Sequence, residues 1–371
     1  MTGFDLLGPE ITTQPSLPLF SHAVNVKKFA LCSEGLPHLG HFALPNLTSF
    51  ELLTFPEETF SDEEAFPILQ LLDFLEATPT LQTVSLAVHM ETSLAGVPPG
   101  RIVILPNVEG FYTIEQEPHH RIAAKISCPS TKHASLICEQ GKEESTPQDV
   151  FPTGTAWRTI PSQYMVSRVD AIALELDAFR DLSCSLFFLS QGSATLQLGH
   201  KIFAAEGDDG PRPSLPREYA KTFSLASMAI WSHPLLANVK RLRIQDRHLP
   251  LGLNRLKCVA NEVRLLFKSF GPLDEMALDA SDLRPYLVPF IDLPSFHRTR
   301  VTPTCLEIKG LTVANHPLTF IEAAFRVGIV EFAKSQHESG IPFEYVVFQA
   351  GVPPAEIVEG LRPWVGTVLC Q

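Results

Sequence analysis

Long apolar runs, paired cysteines and the short signatures of common catalytic sites are missing from this 371-residue sequence. No uninterrupted apolar stretch approaches the roughly 18 residues of a membrane span, so no membrane partner is expected. The first basic residue is Lys27. Without a charged n-region ahead of it no secretory signal is expected, and a cytoplasmic or nuclear location is the expectation. The seven cysteines, Cys32, Cys128, Cys138, Cys184, Cys258, Cys305 and Cys370, are odd in number, scattered and never arranged as C-x-x-C. That excludes a disulfide framework and points to free thiols. Positive charge is short as well: 29 basic against 41 acidic residues leave a formal charge of −12, which opposes non-specific attraction to nucleic acid or anionic lipid. Charged residues reach only 19%, below the usual quarter.

What is abundant is apolar residue, at 45%, and proline, with 31 copies that recur at element junctions. The chain can bury a sizeable core. Its organising stretch is 44–53, LPNLTSFELL, in which Pro45 precedes Leu47, Phe50 and Leu52: an apolar residue, two free positions, a second apolar residue, one free position, a third. Alternation over the last two fits a short strand with one buried face. The spacing returns at Val26, Phe29, Leu31; at Leu81, Val84, Leu86; at Val108 and Phe111 behind Pro106; and at Thr131, Ala134, Leu136. Later copies are Val169, Ile172, Leu174; Val239, Leu242, Ile244; Leu273, Met276, Leu278; Leu306 and Ile308; and Phe343, Val346, Phe348.

Between copies the pattern changes period. Ile68, Leu71, Leu72 and Leu75 share a helical face, with Ser61 and Glu64 in the form of a capping box and Thr78-Pro79 as the stop. Further helices are expected over 119–127, 157–164, 218–232, 259–270 and 317–338, the last with Ile321, Ala324, Phe325, Gly328 and Phe332 on a stripe and Gly340 as C-cap. Two apolar runs around Ser190-Gln191-Gly192 read as a hairpin inserted over 184–203. Residues 1–22, punctuated by Pro9, Pro15 and Pro18, read as a loosely ordered lead-in, and 353–371 as a capping helix and tail.

One strand with a helix or loop behind it cannot bury its own apolar face, so stacked repeats must supply the core. The expected fold class is therefore α/β: an irregular leucine-rich-repeat solenoid, horseshoe-like, over 23–352, with mostly parallel strands on one face and helices on the other. The rival, a doubly wound sheet, also alternates strand and helix, but no glycine-rich turn follows any strand as a phosphate cradle would need.

The ordered series FLEATPTLQTVSLAV, LPNVEGFYTI, AAKISCPSTKHASLICEQ, HPLLANVKRLRI, VRLLFKSFGPLDEMAL and AKSQHESGIPFEYV resembles the leucine-rich-repeat-like region of F-box proteins from the expanded families of mushroom-forming fungi. The resemblance runs from about residue 40 to the C-terminus. It implies a substrate receptor of a cullin-RING ubiquitin ligase, in which an F-box docks on a Skp-type adaptor and the repeats hold a target protein. Residues 1–22 are too short and too proline-punctuated for the three-helix F-box, which needs on the order of 40 to 50 residues. A Skp-type adaptor is thus expected as a partner only where an F-box lies upstream.

For chemistry, the one His/Cys concentration is His119, His120, Cys128, His133 and Cys138, whose spacing matches no zinc knuckle or finger; core thiols and surface imidazoles are the better reading. No G-x-S-x-G, P-loop, H-E-x-x-H or G-x-G-x-x-G occurs, and no cofactor is implied. The expectation is a non-enzymatic protein-binding repeat domain. Its contacts are the free motif positions, of which Glu51, Tyr112, His133, Glu175, Arg241, Arg243, Glu275, Asp279 and Tyr345 are the candidates. Tyr112 and Tyr345 are anchor types, though exposed tyrosines are also ordinary surface. Arg241 and Arg243 facing Glu275 and Asp279 would make a cross-strand ion ladder of small net value. The alternatives are an inactive remnant or structural repeat protein with no ligase role, and an α/β enzyme.

Overall fold

The computed structural model describes residues 3–6, 25–34, 39, 42–55, 65–116, 121–140, 169–177, 182–191, 193–202, 239–246, 273–280, 305–309, 319–338, 340, 342–348 and 355–370. In chain order these form β1 (Gly3–Leu6), β2 (Lys28–Glu34), β3 (Ser49–Phe55), β4 (Phe66–Pro67), α1 (Ile68–Glu76), β5 (Thr83–Val88), β6 (Thr92–Ser93), β7 (Val103–Ile104) and β8 (Gly110–Glu115). A 3-10 turn at Ala123–Lys125 leads into β9 (Ile126–Ser127) and β10 (His133–Gln140). Then come β11 (Ala171–Asp177), β12 (Leu182–Ser190), β13 (Ser193–Ile202), β14 (Arg241–Asp246), β15 (Glu275–Ala280), β16 (Cys305–Lys309), α2 (Thr319–Glu338), β17 (Phe343–Phe348), α3 (Ala355–Leu361) and β18 (Val365–Cys370).

The chain divides into two compact units, Met1–Arg168 with Ala194–Phe203, and Val169–Ser193 with Ala204–Gln371. Both are mixed α/β and built on mostly parallel sheet. In the first, β1, β2, β3, β5, β8, β10 and β13 lie side by side in that order, every pair parallel. In the second the order is β12, β11, β14, β15, β16, β17, β18, parallel except for β12, which runs antiparallel to β11.

The register of these pairs follows the sequence spacing. Phe29, Phe50, Val84, Phe111 and Ala134 are successive partners, as are Leu31, Leu52, Leu86, Thr113 and Leu136. In the second unit Ile172, Leu242, Met276, Leu306 and Val346 align, with Leu174, Ile244, Leu278, Ile308 and Phe348 one step further. A one-residue slip would turn each row to the opposite face, so burial of members such as Phe50, Val84, Leu52, Leu242, Ile244 and Met276 fixes the pairing.

The proline of each early repeat has a definite place. Leu47, Leu81, Val108 and Thr131 donate their backbone N–H to the carbonyls of Leu44, Thr78, Leu105 and Cys128, at 3.1 to 3.4 Å. Each bond closes a four-residue turn whose second residue is Pro45, Pro79, Pro106 or Pro129, where the fixed φ of proline suits the turn. The next carbonyl then accepts two bonds from the following repeat. Lys27 O takes the N–H groups of Thr48 (2.8 Å) and Ser49 (3.0 Å), Thr48 O those of Gln82 and Thr83, Gln82 O those of Glu109 and Gly110, and Glu109 O those of Lys132 and His133. The second unit repeats this with Asp170 O and Lys240 O.

The first unit's core carries Phe50, which contacts Phe29 (ring centroids 6.0 Å) and Phe74 of α1 (4.6 Å). Ile68, Leu71, Leu72, Phe74 and Leu75 of α1 are all buried. Thr78 ends the helix by donating its hydroxyl to the carbonyls of Phe74 (3.0 Å) and Leu75 (3.1 Å). In the second unit Ile329, Phe332 and Ala333 of α2 and Ile357 and Leu361 of α3 are buried, and Phe332 meets Phe343 of β17 edge-on at 5.1 Å.

Several sequence expectations change here. α1 starts at Pro67, which offers no side-chain cap; Ser61 and Glu64, expected as a capping box, lie outside the described residues. The helix expected over 119–127 contracts to a 3-10 turn followed by strand β9. The buried Glu115 caps this turn, its Oε2 and Oε1 accepting the N–H groups of Ile122 (2.9 Å) and Ala123 (3.1 Å), and the chain then leaves the helical conformation to pair β9 with β7. Within the lead-in, Gly3–Leu6 forms β1 and pairs with β2. The C-terminal tail is a strand, β18, in register with β17. The expected hairpin segments are both strands, meeting at Gln191 with φ +52°, and each takes a partner outside the hairpin: β12 pairs with β11 and β13 with β10. α2 ends as expected, with Gly340 at φ +78° donating its N–H to His337 O at 3.0 Å. The helices expected over 157–164, 218–232 and 259–270 lie outside the described residues.

Candidate functional site

Alternation along each strand leaves a second row of residues on the face away from the apolar core. In the first unit Ala30, Glu51, Ser85, Tyr112, Ser135 and Gln197 are register partners, and the next row is Cys32, Leu53, Ala87, Ile114, Ile137 and Gly199. Glu51 and Tyr112 therefore share a row, two strands apart, and both are exposed. His133 stands one row earlier, opposite Gly110, and is also exposed. On β5 the smaller Ser85 and Ala87 stand between Glu51 and Leu53 of β3 and Tyr112 and Ile114 of β8.

Tyr112 does not stand upright in this face. A methyl group built on Gly110 would meet its Cε2 at 3.2 Å and its hydroxyl at 3.5 Å, with Thr83 Cγ2 at 3.6 Å. The ring folds back over Gly110, burying that glycine while remaining 40% exposed itself. A Cβ at this position would press the ring outward by a few tenths of an ångström. Ser135 donates its hydroxyl to Gln197 Oε1 at 3.0 Å across β10 and β13, so the far end of the row is internally satisfied.

In the second unit Arg241, Glu275, Cys305, Tyr345 and Thr367 align, Arg243 stands opposite Ala277, and Glu175, Gln245 and Asp279 form a row. Register thus brings Arg241, Glu275 and Tyr345 into one line. The expected ion ladder is absent among the described residues: Arg241 Nη2 pairs instead with Asp170 Oδ2 at 2.9 Å. Asp170 also accepts the Arg241 N–H through its backbone oxygen, which brings the carboxylate nearer to the guanidinium than Glu275 is. Arg243 and Glu275 are exposed.

One cluster on the first face was not anticipated. His89 Nδ1 lies 2.9 Å from Glu139 Oε2, whose side chain is only 8% exposed, and the imidazole stacks on Phe55 with centroids 5.4 Å apart and planes 4° from parallel. The signal was present in the alternation: Phe55 continues Glu51 and Leu53, and His89 continues Ser85 and Ala87, one step past the motif.

At the N-terminal edge of the same strands a shallow trough of about 420 Å³ is lined by Asn46, Thr80, Asn107 and Ser130 in one row and Lys27, Thr48, Gln82 and Glu109 in the other. These polar groups tie repeats together. Thr80 Oγ1 donates to Leu47 O at 2.7 Å, and Asn107 Nδ2 to Pro79 O at 3.0 Å. Lys132 Nζ closes on Glu109 Oε1 at 2.7 Å. On the helical side Arg101 holds Asp73 (2.7 Å) and Glu76 (2.6 Å), and these hydrogen-bonded carboxylates raise its pKa.

Of the His/Cys concentration, Cys128 is buried and its thiol is pushed up to about 12 by desolvation. His133 is exposed, and His119 and His120 lie outside the described residues. Among the described residues no three His, Cys, Asp or Glu side chains gather as a metal site, and no helix is long and apolar enough to cross a membrane. No family model matches the chain, and no curated protein matches it.

Proposed function

We propose that this chain is a non-enzymatic, protein-binding repeat protein, an irregular leucine-rich-repeat solenoid whose outward strand positions grip a target. The observation that carries the reading is the order and register of the strands: successive repeats lie side by side, so residues far apart in sequence, such as Glu51 and Tyr112 or Arg241 and Tyr345, fall into continuous rows. A repeat stack of this kind presents an extended surface that a compact pocket does not. The series of motifs further supports kinship with the substrate-recognition region of F-box proteins, and hence a receptor role in ubiquitin ligation.

The test is affinity capture with paired variants. Wild-type chain is compared with one substituted on the outward rows (Glu51→Gln, Tyr112→Ala, Arg243→Ala, Glu275→Gln) and one substituted on the helical side (Asp73→Asn, Glu76→Gln). Proteins retained by the wild type and the helical-side variant but lost by the outward-row variant support the reading; equal retention by all three contradicts it. Inclusion of purified Skp-type adaptor in the same assay tests ligase attachment separately.

A further inference from the structure

Resting on that reading, we propose that the first unit recognises a basic side chain, an arginine of the target, seated above Ser85 between the Glu51 carboxylate and the Tyr112 ring. The place is defined by register. Glu51, Ser85 and Tyr112 are consecutive partners on β3, β5 and β8. Neighbouring strands are about 4.8 Å apart, so the backbones carrying Glu51 and Tyr112 lie roughly 10 Å apart with Ser85 between them.

Three observations select a cation. Glu51 is exposed, and among the described residues no ion pair reaches it, whereas the neighbouring carboxylates Glu109 and Glu139 are paired with Lys132 and His89. Tyr112 lies back over Gly110 with 40% of its surface open, so the side of the ring turned away from Gly110 is accessible, and a cation within about 6 Å of such a centroid is attracted by the ring quadrupole. The chain's formal charge of −12 adds a long-range field that draws basic segments. Arginine is favoured over lysine because its flat fork can hold a carboxylate on one edge while its plane meets an aromatic ring. The half-exposed apolar row one step along, Leu53, Ala87, Ile114 and Ile137, accommodates the methylene stem and an adjoining apolar residue.

The test uses two capped peptides that differ at one position, arginine or its neutral isostere citrulline, in a glycine, serine and leucine context, titrated calorimetrically into the full chain. The arginine peptide is expected to bind about ten-fold more tightly than the citrulline peptide and to weaken with salt. Glu51→Gln should remove most of that preference, Ser85→Leu should block the seat, Tyr112→Leu should weaken binding several-fold, and Tyr112→Phe should leave it unchanged. Thermal unfolding at the wild-type temperature shows that each variant is folded. Equal affinity for the two peptides, no binding of either, or indifference to Glu51→Gln overturns the arginine seat. Retention of targets by the outward rows in the capture assay would survive any of those results, so the two claims fail separately.

Discussion

Buried polar groups set the terms at single residues. Cys128 sits where ionisation is opposed by desolvation, its thiol raised from 9.0 to about 12. Between those two values the unfolded chain releases a proton that the folded chain keeps, so this thiol's contribution is fully present below pH 9 and is lost as pH rises through the folded value. Chemical denaturation at stepped pH should show Cys128→Ala losing less stability than wild type between pH 9 and 11, by about 1.4 kcal/mol per pH unit at most. In the native state the exposed Cys370 should be alkylated at pH 8 while Cys128 is spared, as peptide mass mapping can record. Glu115 is the counterpart among carboxylates. Both its oxygens satisfy backbone donors of the 3-10 turn, so Glu115→Ala should cost about 2 to 4 kcal/mol in urea unfolding, and Glu115→Gln, which keeps one acceptor, distinctly less. A loss under 0.5 kcal/mol for Glu115→Ala would refute the capping role.

At the scale of elements, each strand is held by an inward ring or aliphatic residue and an exact approach to its neighbour. Phe50 is fully buried between Phe29 and Phe74, and Phe50→Ala should destabilise by about 3 to 5 kcal/mol in the same measurement. Gly366 is placed differently: a Cβ there would meet Glu344 O at 2.7 Å, so Gly366→Ala must push β18 from β17, and hydrogen exchange should lose protection over 343–348 and 365–370 first. Most strands were legible because period two and period 3.6 are properties of local sequence. Those that were missed carry the same spacing in weaker form. Phe4 and Leu6, and Val368 and Cys370, take the register of the clear copies, yet a proline-rich neighbourhood and a terminal position disguised them; Leu196 and Leu198, on a strand of the expected hairpin, take the same register. Within 121–127 the expected helix is reduced to one turn for a non-local reason, since Ile126 and Ser127 pair with β7 as a strand. The proline turns were half legible: the residue type was plain, but that each turn feeds a carbonyl shared by two N–H groups of the next repeat appears only once neighbours are in place.

For the molecule as a whole, the candidate contacts were readable as outward positions, and register places them in rows within each unit. What spacing could not supply was which outward charges already have partners. Arg241 closes on Asp170 and His89 on Glu139, leaving Glu51 and Arg243 without an ion pair among the described residues, and that difference depends on side chains brought together from distant segments. Every functional statement above requires parallel neighbours in the stated register. Engineered cysteine pairs measure this directly: oxidation of Glu51→Cys with Ser85→Cys, and of Ser85→Cys with Tyr112→Cys, should give intramolecular disulfides identified by peptide mass mapping, because these are register partners. Glu51→Cys with Val84→Cys, whose side chains leave opposite faces, should give none; efficient closure of that pair, or failure of the first two in a folded chain, would contradict the strand register and the docking surface built on it.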